Sequence, residues 1–264
     1  MDTSIDASFL APRRCLREPV TELWDAAAVL DRATNAHLSG NREQAEVLLR
    51  EANQPVVRSW TESLWGSARA NPDQWRYLRR RPAADAPPYL PKPDRVPVRM
   101  PSAAERTEVL ARYGRHCVFC GIPLIRAEVR SMFHRLYPEA APWGTTNPSQ
   151  HAGFQALWLQ FDHVLPHCRG GDNSISNIVV TCAGCNFGRM SSTLEELGLI
   201  DPRTMPVSNN GWDGLERVLA VRTANAATTL NSLPPTAACA VMASGPAAPG
   251  PSTLDGAVHE PGAA

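Results

Sequence analysis

Four cysteines in two Cys-x-x-Cys pairs, Cys117/Cys120 and Cys182/Cys185, constrain this chain more than any other feature. One such pair is a weak signal, because redox motifs and chance both produce it. Two pairs can supply a complete tetrahedral set of thiolates for zinc. The alternative for the same residues is a pair of disulfides. Of the seven cysteines, Cys15, Cys168 and Cys239 stand alone and read as ordinary free thiols. The dipeptide Asp162-His163 lies between the pairs, and Asn186 directly follows the last cysteine. The polar segment from His163 to Asn186 therefore reads as an active site held against a four-cysteine frame.

At 264 residues the chain has room for one or two domains and a real core. No apolar run approaches the length of a membrane span. The first residues lack the charged start, apolar centre and cleavage site of a secretory signal. A cytoplasmic location is the resulting expectation, and there thiols stay reduced and open to metal. The net charge of +0 announces no polyanion partner. Locally, Arg69, Arg76, Arg79, Arg80 and Arg81 cluster ahead of Lys92, Arg95 and Arg99, opposed only by Asp73, Asp85 and Asp94. Such a stretch can hold a phosphate backbone through counterion release, or it can be a solvated linker.

The expected organisation has five parts. Residues 1–19 form a flexible N-terminus and residues 20–81 a helical domain of unassigned role. In it, Leu23, Ala27, Leu30 and Ala33 recur at helical spacing, Asn41 caps a second helix and Pro55 opens a third. Trp24, Trp60, Trp65 and Trp75 are expected to pack this unit together, with Val56 and Leu64 also on its core side. Residues 82–101 are dense in proline and form a semi-rigid linker. Residues 102–221 hold the cysteine frame, opening on a capping box from Ser102 to Glu105. Two further helical pieces fall at 126–137 and 150–160, and IVVTC (178–182) reads as a strand. The segment after Cys185 reads as a helix broken near Ser191-Ser192. The Ala/Pro-rich tail, 222–264, buries too little apolar surface to offset its ordering entropy and is expected to be disordered.

The order of Cys117 and Cys120, Asp162-His163, Pro166, Gly170-Gly171, Asn177, Cys182 and Cys185, and Asn186 resembles the HNH endonuclease family. The resemblance covers residues 102–200. It implies an α+β fold: a ββα-metal nuclease domain with a zinc staple, here preceded by a small all-α N-terminal domain. Two antiparallel strands and a helix would clasp one catalytic cation, and the four cysteines would hold a separate structural zinc. The interval from Cys120 to Asp162 is longer than compact members need, and it reads as core enlargement with some substrate contact.

The resemblance, with the chemistry, assigns the roles. Neutral His163 suits a general base that takes a proton from water near neutral pH. Asp162 is the expected anionic ligand for Mg²⁺ or Mn²⁺, and Asn186 adds a neutral oxygen, a His-Asn-Asn variant. Adjacent residues of a strand point to opposite sides, so a local bend is expected if Asp162 and His163 are both to reach a phosphate. Asn177 is the implied catalytic-loop residue that holds the His163 backbone. Arg169, Arg189 and His167 are candidate nucleic-acid contacts. The activity implied is metal-dependent hydrolysis of DNA phosphodiester bonds, with RNA open as an alternative target. Homodimerisation, which would turn nicking into double-strand cleavage, is equally open. The competing reading is a catalytically inert, zinc-stapled nucleic-acid-binding or interaction module.

Overall fold

The computed structural model describes residues 11–65, 77–207 and 210–220. The described residues up to Leu219 form one compact unit. Trp75, Cys239, Arg69, Arg76 and the tail at 222–264 lie outside the described residues. No described helix is long and apolar enough to cross a membrane.

Three helices come first: α1 (Glu22–Leu38), α2 (Arg42–Glu51) and α3 (Pro55–Glu62). Asn41 caps α2 by accepting from the Gln44 amide, and Pro55 starts α3, where its missing N–H costs nothing. Helix α4 (Ala103–Tyr113) opens with the Ser102/Glu105 capping box in full. Then come α5 (Ala127–Leu136), α6 (Ala152–Ala156), β1 (Leu159–His163), β2 (Ile178–Cys182), α7 (Ala183–Arg189) and α8 (Leu194–Leu197). The two strands pair antiparallel, from Leu159 opposite Cys182 to His163 opposite Ile178. β2 is buried along its whole length, with α4 and α7 packed against it. The break after α7 is real, and Thr193 rather than a serine caps α8.

The helices at the start of the chain share a core with the ββα unit, which corrects the expected boundary at 82–101. The joint is tight enough to dictate glycines in α7. A Cβ on Gly184 would lie 3.0 Å from the Trp60 ring, and one on Gly188 would lie 2.9 Å from the Leu64 carbonyl. Trp60 and Trp65 are buried as expected, whereas Trp24 is 42 % exposed and Val56 38 %, leaving Val57 as the inward residue. The interval between Cys120 and Asp162 forms the wall between the two parts. His37 of α1 hydrogen-bonds the Tyr137 hydroxyl at 2.8 Å, and Phe133 and Phe154 meet with ring centroids 5.6 Å apart.

His151 is the polar pin of this joint. It is fully buried, with Nε2 2.7 Å from the Leu49 carbonyl, while Nδ1 accepts the Phe154 amide and caps α6. Burial, against the Leu49 hydrogen bond and with help from Arg58, pushes its pKa down from 6.5 to about 4. Unfolding lets His151 take a proton between those values, so its contribution is present above about pH 6.5 and lost as pH falls towards 4. The loss amounts to about 3 kcal/mol. Denaturant titrations at pH 7 and 4.5 should show that component in the wild type and lack it in His151→Asn. Equal pH slopes in the two proteins would refute it.

Candidate functional site

β1 brings Asp162 and His163 to its C-terminal end, and its unbroken pairing sends them to opposite sides of the strand. The expected bend is absent. On the α7 side, the buried Asp162 carboxylate meets Arg189: Nε and Nη2 lie 3.0 and 2.7 Å from Oδ2. Two residues earlier on β1, Gln160 Oε1 accepts from Asn186 Nδ2 at 3.4 Å. These pairs are successive rungs between strand and helix, spaced i,i+2 on one and i,i+3 on the other. Asp162 and Asn186 are therefore diagonal neighbours on one face.

His163 occupies the other side. Its Nε2 is 3.0 Å from Asn173 Oδ1, and its ring stands edge-on to His167 with centroids 5.8 Å apart. The loop beneath it is fastened by Asn177. The Asn177 carbonyl accepts from the Val164 amide at 2.7 Å, and its Oδ1 accepts from the Leu165 amide at 2.8 Å. Its Nδ2 donates to the carbonyls of Leu165 and Asp172 at 3.2 and 2.9 Å. Gly170 turns this loop at φ +89°, a left-handed conformation that favours glycine. A Cβ on Gly171 would lie 1.8 Å from the Leu165 carbonyl oxygen, so no side chain fits there.

The four cysteines converge beside this unit, all but excluded from solvent, with every sulfur within 4.8 Å of the others. Cys120 Sγ and Cys182 Sγ are 3.7 Å apart. That is far beyond a disulfide bond and close to the edge of about 3.8 Å that a tetrahedron of Zn–S bonds has. The first pair is tied to the sheet where the Val118 amide donates to Val180. Burial and the neighbouring thiols push Cys120 and Cys182 up, while the other three thiols, opposing burial, hold Cys117 down by donating to it. A buried cluster able to hold one negative charge needs a cation before all four sulfurs can ionise. The cluster is compatible with a zinc site.

Residues 152–198 match the HNH endonuclease family model. The match runs from α6 through β1, the loop, β2 and α7 to α8, and the first Cys-x-x-Cys pair and the N-terminal helices lie outside it. No curated protein and no solved structure gives a match.

Within the matched segment the two candidate arginines need correction. Arg189 is 1 % exposed; besides Asp162 it donates to the carbonyls of His163, Val164 and Ser192. Arg169 is 6 % exposed and donates to Ser191 and Pro87 while pairing with Glu196 at 2.7 Å, its guanidinium over the Tyr89 ring. Both are internal fasteners: all five Arg189 N–H groups are engaged, and Arg169 is buried on its three acceptors, away from a phosphate at the surface. His167 Nε2 lies 2.8 Å from the Val96 carbonyl, so it too is engaged within the protein.

Burial sets the electrostatics on both sides of β1. It raises the Asp162 pKa despite the opposing Arg189 charge. It lowers the His163 pKa, although Asn173 and Asp162 act the other way. His163 is thus neutral at neutral pH and able to accept a proton. Two residues contribute here without an assigned role from sequence, Gln160 and Asn173. The Asn173 signal was present in the G-G-D-N string, but its partner lies 75 positions earlier in the chain, at Val98.

The proline-rich run is a strap on this loop rather than a spacer. The Leu90 amide donates to Cys168, Tyr89 Oη meets Ser191 Oγ at 3.0 Å, and the carbonyls of Pro87, Val96 and Val98 all accept from loop side chains.

Proposed function

We propose that this protein is a metal-dependent HNH endonuclease that hydrolyses DNA phosphodiester bonds, with His163 as the general base. The observation that carries the reading is the placement of a neutral, buried His163 at the end of β1, back to back with Asp162 and its diagonal neighbour Asn186. The strand is unbent, but both residues lie at its C-terminal end, so a phosphodiester crossing that end rather than one face of the sheet would meet a proton acceptor on one side and two oxygen ligands on the other. The Arg189 contacts fall on Asp162 Oδ2, so Oδ1 is the oxygen that would meet a cation. One carboxylate oxygen and one amide oxygen form the sparse, hard donor set that Mg²⁺ or Mn²⁺ accepts while keeping waters and substrate oxygens. The residues present therefore fit such an ion. When bound, it would supply charge stabilisation to the scissile phosphate and the departing 3′ oxygen. His163 would take the proton of the attacking water, and Asn177 would keep its backbone in place.

A plasmid-nicking assay with added Mg²⁺ or Mn²⁺ tests the reading. Metal-dependent conversion of supercoiled DNA supports it. Tight DNA binding without any metal-dependent cleavage would favour the inert binding module instead.

The structural cation is proposed to be zinc. Purified protein is expected to carry one equivalent, and Cys185→Ser to release it with a stability loss of several kcal/mol. Metal analysis and thermal unfolding read the two effects. Fully folded protein with no bound metal would remove the staple from the account.

A further inference from the structure

We propose that Asn173, anchored by the proline-rich strap, is a positioning residue that holds His163 as its Nε2–H tautomer and leaves Nδ1 to accept the proton. The proposal deepens the nuclease reading and rests on it for the meaning of that proton.

The argument turns on which end of the Asn173 amide faces which partner. Asn173 Nδ2 lies 2.7 Å from the Val98 carbonyl oxygen. A backbone carbonyl can only accept, so the amide must present its NH₂ group there. Its Oδ1 is then the atom 3.0 Å from His163 Nε2. An amide oxygen can only accept, so Nε2 must carry the hydrogen. In a neutral imidazole the other nitrogen, Nδ1, then holds the free lone pair. A carbonyl in the strap thus sets the tautomer through one side-chain amide.

The strap is built to present that carbonyl. Pro97 stands between Val96 and Val98, and Pro101 follows. Proline locks φ and lowers the ordering entropy of an extended segment. Val96 serves the neighbouring His167 in the same way, with its carbonyl 2.8 Å from Nε2. Residues 96–98 therefore hold both rings of the 5.8 Å His163–His167 pair, one directly and one through Asn173.

Two readouts test the proposal on the full-length, zinc-loaded protein. The first is a two-dimensional ¹H–¹⁵N imidazole correlation spectrum at neutral pH, with His163 assigned by comparison with His163→Gln. The expected pattern is a protonated Nε2 with a slowly exchanging hydrogen and an unprotonated Nδ1. In Asn173→Ala that hydrogen should exchange freely. The second readout is steady-state cleavage with Mg²⁺. Asn173→Ala should lose about tenfold in kcat with KM nearly unchanged, since a loosened base costs part of what general-base catalysis contributes. Asn173→Asp keeps an acceptor for the Nε2 hydrogen and should recover part of that loss. A wild-type spectrum with the hydrogen on Nδ1 would overturn the proposal, as would wild-type kcat in Asn173→Ala. If no protein in the series cleaves DNA, the nuclease reading fails while the spectrum still decides the tautomer.

Discussion

Replacing His163 with alanine is expected to lower metal-dependent DNA cleavage by about 10²–10⁴-fold, the usual contribution of a positioned general base. Stability and zinc content should change little by comparison. The described partners of the His163 side chain are Asn173 and the His167 ring at the loop surface, while its backbone ties to Ile178 and Arg189 remain in the variant. The effect should therefore appear in kcat on a folded protein, checked by following plasmid nicking alongside a denaturant melt. Cleavage at the wild-type rate would take the base role away from His163. A second assay at fixed metal, with Asp162→Asn or Asn186→Ala, separates loss of the base from loss of the cation.

The largest stability effect is expected at Arg189. Its guanidinium sits 2.7 Å from Asp162 and donates to three backbone carbonyls at the junction of β1, the loop and the end of α7. Arg189→Ala would leave a buried carboxylate without its counter-charge and the carbonyls without donors. Breaking a buried pair from one side costs about 3–5 kcal/mol, and denaturant unfolding measures it directly. Removing the charge from Asp162 as well, in Arg189→Met with Asp162→Leu, should restore much of the loss, because paired apolar replacements avoid the stranded ion. A single Arg189→Ala change of under about 1 kcal/mol would mean that the pair is solvated rather than buried. The same contact bears on the proposed function: Arg189 holds Asp162 by Oδ2, so its loss is expected also to weaken Mg²⁺-dependent cleavage.

The two arginines show where reading a sequence stops. Arg169 and Arg189 flank the site in the chain, and flanking arginines in a nuclease-like segment read as phosphate contacts. Each is instead surrounded by carbonyls and a carboxylate from elements that converge on it: Pro87, Ser191 and Glu196 for one, Asp162, His163, Val164 and Ser192 for the other. Whether a guanidinium is buried depends on what closes over it, and no local pattern encodes that. Trp24 illustrates the converse. Its helix was readable from the spacing of Leu23, Ala27 and Leu30, but it falls between the buried positions and faces solvent.

The proline-rich run departs from a simple linker for a related reason. Proline density correctly excludes helix and central strand, and such a segment often separates domains. Its own amides satisfy the carbonyls of Ala83, Pro91 and Lys92, but those of Pro87, Val96 and Val98 accept from Arg169, His167 and Asn173. A stretch that looks like a spacer becomes part of the site because its unpaired acceptors meet a loop rich in donors.

What the sequence determined by itself is local or set by spacing. The capping box at Ser102, the Asn41 cap, the Pro55 start, the β-branched IVVTC strand and the four-cysteine frame each arise from neighbouring residues or from chemistry specific to a residue type. Tertiary structure alone decided that the N-terminal helices share the core of the ββα unit, that Arg169 and Arg189 face inward, and that the strap reaches His163 through Asn173. Those outcomes come from contacts between residues 22 to 102 positions apart, such as Val98 with Asn173 or Arg169 with Pro87. Their free energies arise only once the chain has closed on itself and excluded water from the charges and carbonyls involved.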